Sequence, residues 1–147
     1  MKDEFRNYLE TVGINTPTTL ETIEQILHDA SKICQDEIEA MLVDEYTQQD
    51  GKRIYNDLHL FSKKYSFTAN QFLSKQEYYL LPLRGNITHL VIQKKDYDFE
   101  EPTEASRISV TFQFKHSEIQ GVLTASKENC AHLWSIIKTH LQPNMVL

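Results

Sequence analysis

Ile108-Ser109-Val110-Thr111-Phe112-Gln113-Phe114 alternates apolar and polar residues without a break. Neighbouring side chains of a β-strand point to opposite faces, so this run predicts a strand over 107–114. Ile108, Val110, Phe112 and Phe114 share its inner face. Lys115-His116-Ser117-Glu118 reads as a turn, and 119–125 returns as a second strand. Ser126 is expected to cap a final helix. In that helix Cys130, Leu133, Trp134, Ile137 and Leu141 fall at i, i+3, i+4, i+7 and i+11, one apolar stripe carrying the single tryptophan. Burying each large side chain of the stripe is worth ~1.5–3 kcal/mol, so the helix must dock on something apolar. The adjacent sheet is the nearest surface. Pro143 ends the helix.

Working backwards, 78–83 reads as a strand whose Pro82 marks an edge or a bulge. Gly85-Asn86 is a two-residue hairpin signal, with 87–92 as the returning partner. Residues 97–106 form an acidic loop. Between 53 and 81 two periods compete. Ile54, Leu58, Phe61 and Tyr65 suit a helix, while the β-formers suit strands, which are expected over 57–62 and 65–73.

The first third reads as helical. Phe5, Tyr8, Leu9 and Val12 line one face of a short helix over 2–12, stopped at Gly13. Pro17 at a first helical position, or Thr18 with Glu21, opens a second helix. Leu20, Ile23, Ile26, Leu27, Ala30, Ile33, Cys34, Ile38, Met41 and Leu42 recur at three- and four-residue steps, predicting about seven turns that end near Tyr46. Its other face carries Glu21, Glu24, Asp29, Asp36 and Glu39, a solvated face or an acidic surface for a basic partner. The polar stretch 47–52, with Asp50-Gly51, is the expected boundary between a helical region, 1–50, and an antiparallel β domain with a C-terminal helix, 51–147. The fold class is α+β.

At 147 residues and 40% hydrophobic content the chain is long and apolar enough for a packed core, which excludes general disorder. Residues 1–62 carry 5 basic and 13 acidic side chains, a net −8, and residues 63–147 carry 10 and 8, a net +2. The acidic front half repels nucleic acid and anionic membrane. Aromatic residues Tyr65, Phe67, Phe72, Tyr78 and Tyr79 lie among Lys63, Lys64 and Lys75, but at a density ordinary for a β-rich segment. Nucleic acid is therefore not an expected partner. No apolar run reaches the ~18–20 residues of a membrane span, and the charged Met1-Lys2-Asp3-Glu4-Phe5-Arg6 is no signal peptide. The expected location is cytoplasmic, and Cys34 and Cys130 are expected as buried thiols.

Several antiparallel strands closed by a helix with a central tryptophan resemble a pleckstrin-homology (PH)-type barrel. The residues that carry the resemblance are Val122-Leu123-Thr124-Ala125-Ser126 before Trp134, and Leu81-Pro82-Leu83 before Ile87. It covers roughly residues 55–141 and leaves the helical start outside. It implies a module that binds a phosphoinositide headgroup, a peptide or another domain. Lipid-binding members carry basic residues on the first two strands and their loop. Lys63 and Lys64 occupy that region and Arg84 joins them as a candidate ligand-binding residue, but the following arginine is missing. A protein partner is the preferred ligand, with an anionic lipid headgroup as an alternative.

The sharpest enzymatic alternative is a metal-dependent nuclease of the restriction-endonuclease type. Gln93 and Lys95 at the end of an apolar strand, with Asp57 as the upstream acid, match the type of residue such a site uses to hold a metal ion and steady the attacking water. The helix expected after the lysine is missing. Asp96, Asp98, Glu100 and Glu101 alternate as calcium ligands do, but without the glycine that an EF-hand loop needs. The six histidines, His28, His59, His89, His116, His132 and His140, form no cluster by spacing, and His89 is the one whose strand position suggests a shifted titration. Cys130 near a helix start and His132 invite a nucleophile reading, but Cys130 belongs to the apolar stripe. There is no nucleophile elbow and no glycine-rich phosphate loop. The expectation is an interaction module with no catalytic residue, metal or cofactor, a protein partner, and a homodimer through the N-terminal helices.

Overall fold

Phe5, Tyr8 and Leu9 fall on one face of the first helix, and burial of that face places it. In the computed structural model, which describes residues 1–47, 53–96, 103 and 106–147, this helix is α1 (Asp3–Thr11). Gly13, at φ +84°, turns the chain where a side chain would be strained. Pro17 then opens α2 (Pro17–Cys34), which buries Ile23, Ile26, Ala30 and Cys34.

The second helix does not run to Tyr46. It stops at Cys34, where Gln35 takes a left-handed conformation and its N–H caps Ser31. Ala40–Thr47 is a strand, β1. The spacing of Ile38, Met41 and Leu42 imitates a helix because β1 is apolar on both faces. Met41 and Val43 enter one core and Leu42 the other. The boundary expected within 47–52 lies, from 48 onward, outside the described residues. Across it, β1 pairs with β2 (Arg53–Phe61), Val43 opposite Leu58.

The strands over 57–62 and 65–73 are present as β2 and β3 (Tyr65–Asn70), followed by β4 (Glu77–Pro82). These make one antiparallel sheet in the order β1-β2-β3-β4. β5 (Ile87–Lys95), β6 (Arg107–Phe114) and β7 (Gln120–Ser126) make a second, in the order β5-β6-β7. The hairpin expected at Gly85-Asn86 is absent. The turn there, closed by Asn86 N–H to the Leu83 carbonyl at 3.0 Å, carries the chain from the edge of one sheet to the edge of the other. The strands therefore form two sheets rather than one closed barrel. Pro82 sits on an edge strand, where a missing N–H is tolerated.

The molecule has three layers. α1 and α2 cover the outer face of the first sheet, packing on Met41, Val43, Leu58, Leu60, Phe67 and Ala69. Its inner face, through Leu42 and Phe61, with Leu83 just past β4, meets the second sheet and α3 (Asn129–Ile136). Ile108, Val110, Phe112 and Phe114 are all buried there, as the alternation required. Leu133, Ile137 and Leu141 are buried in the same core and Trp134 packs against it, so the tryptophan-bearing helix docks on the sheets. Ser126 does not cap it. Ser126 ends β7, and Glu128 precedes α3 without a side-chain cap. The helix loosens into a π-helical turn over Ile137–Leu141 and stops in a 3-10 turn containing Pro143. No helix among the described residues is long and apolar enough to cross a membrane.

Candidate functional site

The inner face of the first sheet grades from apolar to polar along its strands. Phe61 lies opposite Ala40 on one side and Ser66 on the other, and Ser66 lies opposite Leu81. One step along, His59 lies between Leu42 and Thr68, and Thr68 faces Tyr79. One step further, the ladder slips. Val43 pairs with Leu58 but Glu45 with Tyr55, so Asn56 and Asp57 of β2 stand across from Asp44 alone. A bulge of this kind re-aims side chains and is common beside functional sites.

The result is a small polar cluster between the layers. One ligand-capable atom from each of Asp44, Asp57 and His59 lies within 4.8 Å of the others. Asp44 and His59 are buried, at 8% and 5% exposure, and Asp57 is partly exposed. Each is held by a second residue. Asp44 Oδ1 accepts the backbone N–H of Thr124 at 2.9 Å and also the Thr124 hydroxyl, which joins β1 to β7. Asp57 Oδ1 accepts the Gln71 N–H at 2.8 Å. The Nδ1 atom of His59 pairs with the Thr68 hydroxyl at 2.8 Å. Its other nitrogen, Nε2, is buried, has no hydrogen-bond partner among the described residues, and lies 3.6 Å from Asp44 Oδ2.

The cluster borders a cleft of about 420 Å³ walled by Thr68, Asn70, Tyr79 and Leu81 on one side and by Ile119, Gln120, Gly121 and Val122 on the other. Gly121 is required there. A Cβ on it would sit 2.2 Å from the Phe112 ring, which lies across the strand. Tyr79, Ile119 and Val122 are about half exposed. The cleft thus has an apolar rim and a carboxylate–imidazole group beside it.

The residues singled out in the sequence are distributed differently. Asp57 is on β2 of the first sheet, whereas Gln93 and Lys95 are exposed on β5 of the second, opposite Ser109 and Arg107. Asp57 is instead brought together with Asp44 and His59. Lys63 and Lys64 occupy the β2–β3 turn and Arg84 the β4–β5 turn, all exposed. The Leu83 N–H bonds the Lys64 carbonyl at 2.8 Å, so these two turns are neighbours. Asp98, Glu100 and Glu101 lie outside the described residues. His89 is exposed on its strand, and the buried or half-buried rings are His59, His132 and His140. Cys34 and Cys130 are buried in different cores and are not joined in a disulfide. The sequence hides the cluster because the apolar spacing through Leu42 predicts a helix over Asp44, where the chain forms β1. The signal that remained was Asp57 and His59 two apart in a strand, hence on one face.

No family model, curated protein or solved structure matches this chain.

Proposed function

We propose that the chain is a non-enzymatic interaction module on a PH-like scaffold, and that its ligand is an extended segment of a partner protein lying along β4 and into the cleft beside it. The scaffold reading is supported by a four-stranded and a three-stranded antiparallel sheet followed by an amphipathic helix with a central tryptophan. The observation that carries the ligand reading is the gathering of exposed Tyr79, Ile119 and Val122 around one cleft at an edge strand. An unpaired strand edge offers main-chain hydrogen bonds, and the cleft takes alternate side chains. Asp57 borders the cleft and Glu77 lies on the same edge strand, so the complementary segment is apolar with basic flanks.

Selection of a phage-displayed random peptide library on the intact chain tests this. Peptides of that composition should enrich and should lose at least tenfold in affinity on Ile119→Glu, a change at a half-exposed position that leaves the fold intact. Enriched peptides that bind the variant equally, or no enrichment, would sink the reading.

A second reading is supported by the neighbouring turns of Lys63, Lys64 and Arg84, which offer cations to an anionic lipid headgroup. Co-sedimentation with phosphoinositide vesicles that is lost on Lys63→Glu and Lys64→Glu would favour it. Equal sedimentation with neutral vesicles would remove it.

A further inference from the structure

We infer that Asp44, Asp57 and His59 form a binding site for one divalent transition-metal ion, of the Zn²⁺ or Mn²⁺ class. This goes beyond the peptide-binding reading and does not depend on it.

The argument begins with the orphaned nitrogen. His59 is 95% buried by its 5% exposure, its Nε2 lies 3.6 Å from Asp44 Oδ2 with no hydrogen-bond partner among the described residues, and a carboxylate oxygen of Asp57 lies in the same cluster. In the tautomer whose Nδ1–H donates to the Thr68 hydroxyl, Nε2 carries a lone pair. Three Lewis-basic atoms then converge with no hydrogen between them. Carboxylates placed close together repel, and a buried acceptor without a donor costs about 1–3 kcal/mol. A cation at the common centre removes both penalties.

The distances agree. The 3.6 Å between His59 Nε2 and Asp44 Oδ2 is too long for a charge-assisted hydrogen bond. Ligands about 2.1 Å from a tetrahedral ion are about 3.4 Å apart, so 3.6 Å fits a coordination edge. The spread of 4.8 Å across all three lies within what small side-chain rotations close. One imidazole and two carboxylates suit zinc or manganese better than magnesium or calcium, which favour oxygen alone.

The supporting residues are those that metal sites use. Thr68 fixes the imidazole through its second nitrogen, and Thr124 and Gln71 each hold one oxygen of Asp44 and Asp57. Both carboxylates keep their other oxygen for the ion. The β2 bulge brings the two acids across from each other. Three protein ligands leave a tetrahedral ion one open position, available to water or to a group entering the cleft.

The test is calorimetric titration of the intact, chelator-treated chain with Zn²⁺ and Mn²⁺ at pH 7. One ion per chain is expected, with affinity lowered at least tenfold by Asp57→Asn and by His59→Gln. Asp57→Asn keeps the acceptor for Gln71, so the fold survives. A second measurement on the unmodified chain is long-range ¹⁵N correlation of the histidine rings. The His59 Nε2 resonance should move on adding Zn²⁺ while Nδ1 stays protonated. Absence of one-to-one binding, unchanged affinity in Asp57→Asn, or a His59 Nε2 that carries a proton in the presence of Zn²⁺ would each overturn the assignment.

Discussion

The Tyr8 hydroxyl donates to Asn129 Oδ1 at 2.8 Å across 121 positions of chain, and it accepts the Val43 N–H at 2.8 Å. Asn129 closes the triangle by donating to the Val43 carbonyl at 3.0 Å. One buried phenol therefore locks α1, β1 and the start of α3 together.

Replacing Tyr8 by phenylalanine keeps the ring and removes the oxygen. The Val43 N–H loses its acceptor and Asn129 its donor, both in the interior. Each buried group so orphaned costs about 1–3 kcal/mol. Urea denaturation should show Tyr8→Phe destabilised by about 2 kcal/mol or more. A midpoint unchanged from wild type would mean that water replaces the hydroxyl.

Gly121→Ala should destabilise by about 1–3 kcal/mol, because its Cβ would lie 2.2 Å from Cζ of the buried Phe112 ring. The effect should be non-additive with Phe112→Leu, which removes the atoms in conflict. A double-mutant cycle by thermal unfolding measures this, and strict additivity would contradict the contact.

Acid should weaken the fold before the carboxylates titrate. Burial lowers the pKa of His132, against the opposing pull of the Met41 carbonyl and Glu4, and burial lowers that of His140, against Glu39. Both rings are thus neutral in the fold at a pH where the unfolded chain is already protonated. Their contribution is complete above the ordinary histidine value of 6.5 and is lost as pH falls below it towards the depressed folded values. Unfolding midpoints between pH 7.5 and 5 should fall, and the slope should shrink in a His132→Gln, His140→Gln double variant.

Both thiols should be silent in the native protein. Cys34 and Cys130 are 4% and 0% exposed, and burial, helped by Asp36, raises the Cys34 pKa and so lowers its thiolate fraction. A chromogenic disulfide reagent at pH 8 should react with neither thiol in minutes, and with two per chain in guanidinium. A fast native phase would place one of them at the surface.

The parts of the fold legible in the sequence were those with a single period. β6 alternates over its whole length because one face is core and the other is not. α1 and the C-terminal helix carry one stripe each. β1 was illegible for the opposite reason. Layers press on both of its faces, so Met41, Leu42 and Val43 are all apolar and strand alternation vanishes. The end of α2 gave no warning either, because Gln35 rather than glycine adopts the left-handed turn. The same two facts hid the candidate site. Asp44 could not be placed beside Asp57 until 40–47 was known to be a strand, and no spacing encodes a bulge. The Gly85-Asn86 signal predicts a hairpin that does not form, because a two-residue turn signal fixes a local reversal, not which sheet the next strand joins.

Because β1 pairs with β2 across residues 48–52, the first sheet draws its strands from both sides of that polar stretch. Fragments 1–50 and 51–147, expressed apart, would carry one and three strands of the same sheet, each with an uncovered greasy surface. Neither should be soluble alone. Mixed during refolding, they should reassemble, so the natural use of that seam is as a split site for a complementation reporter.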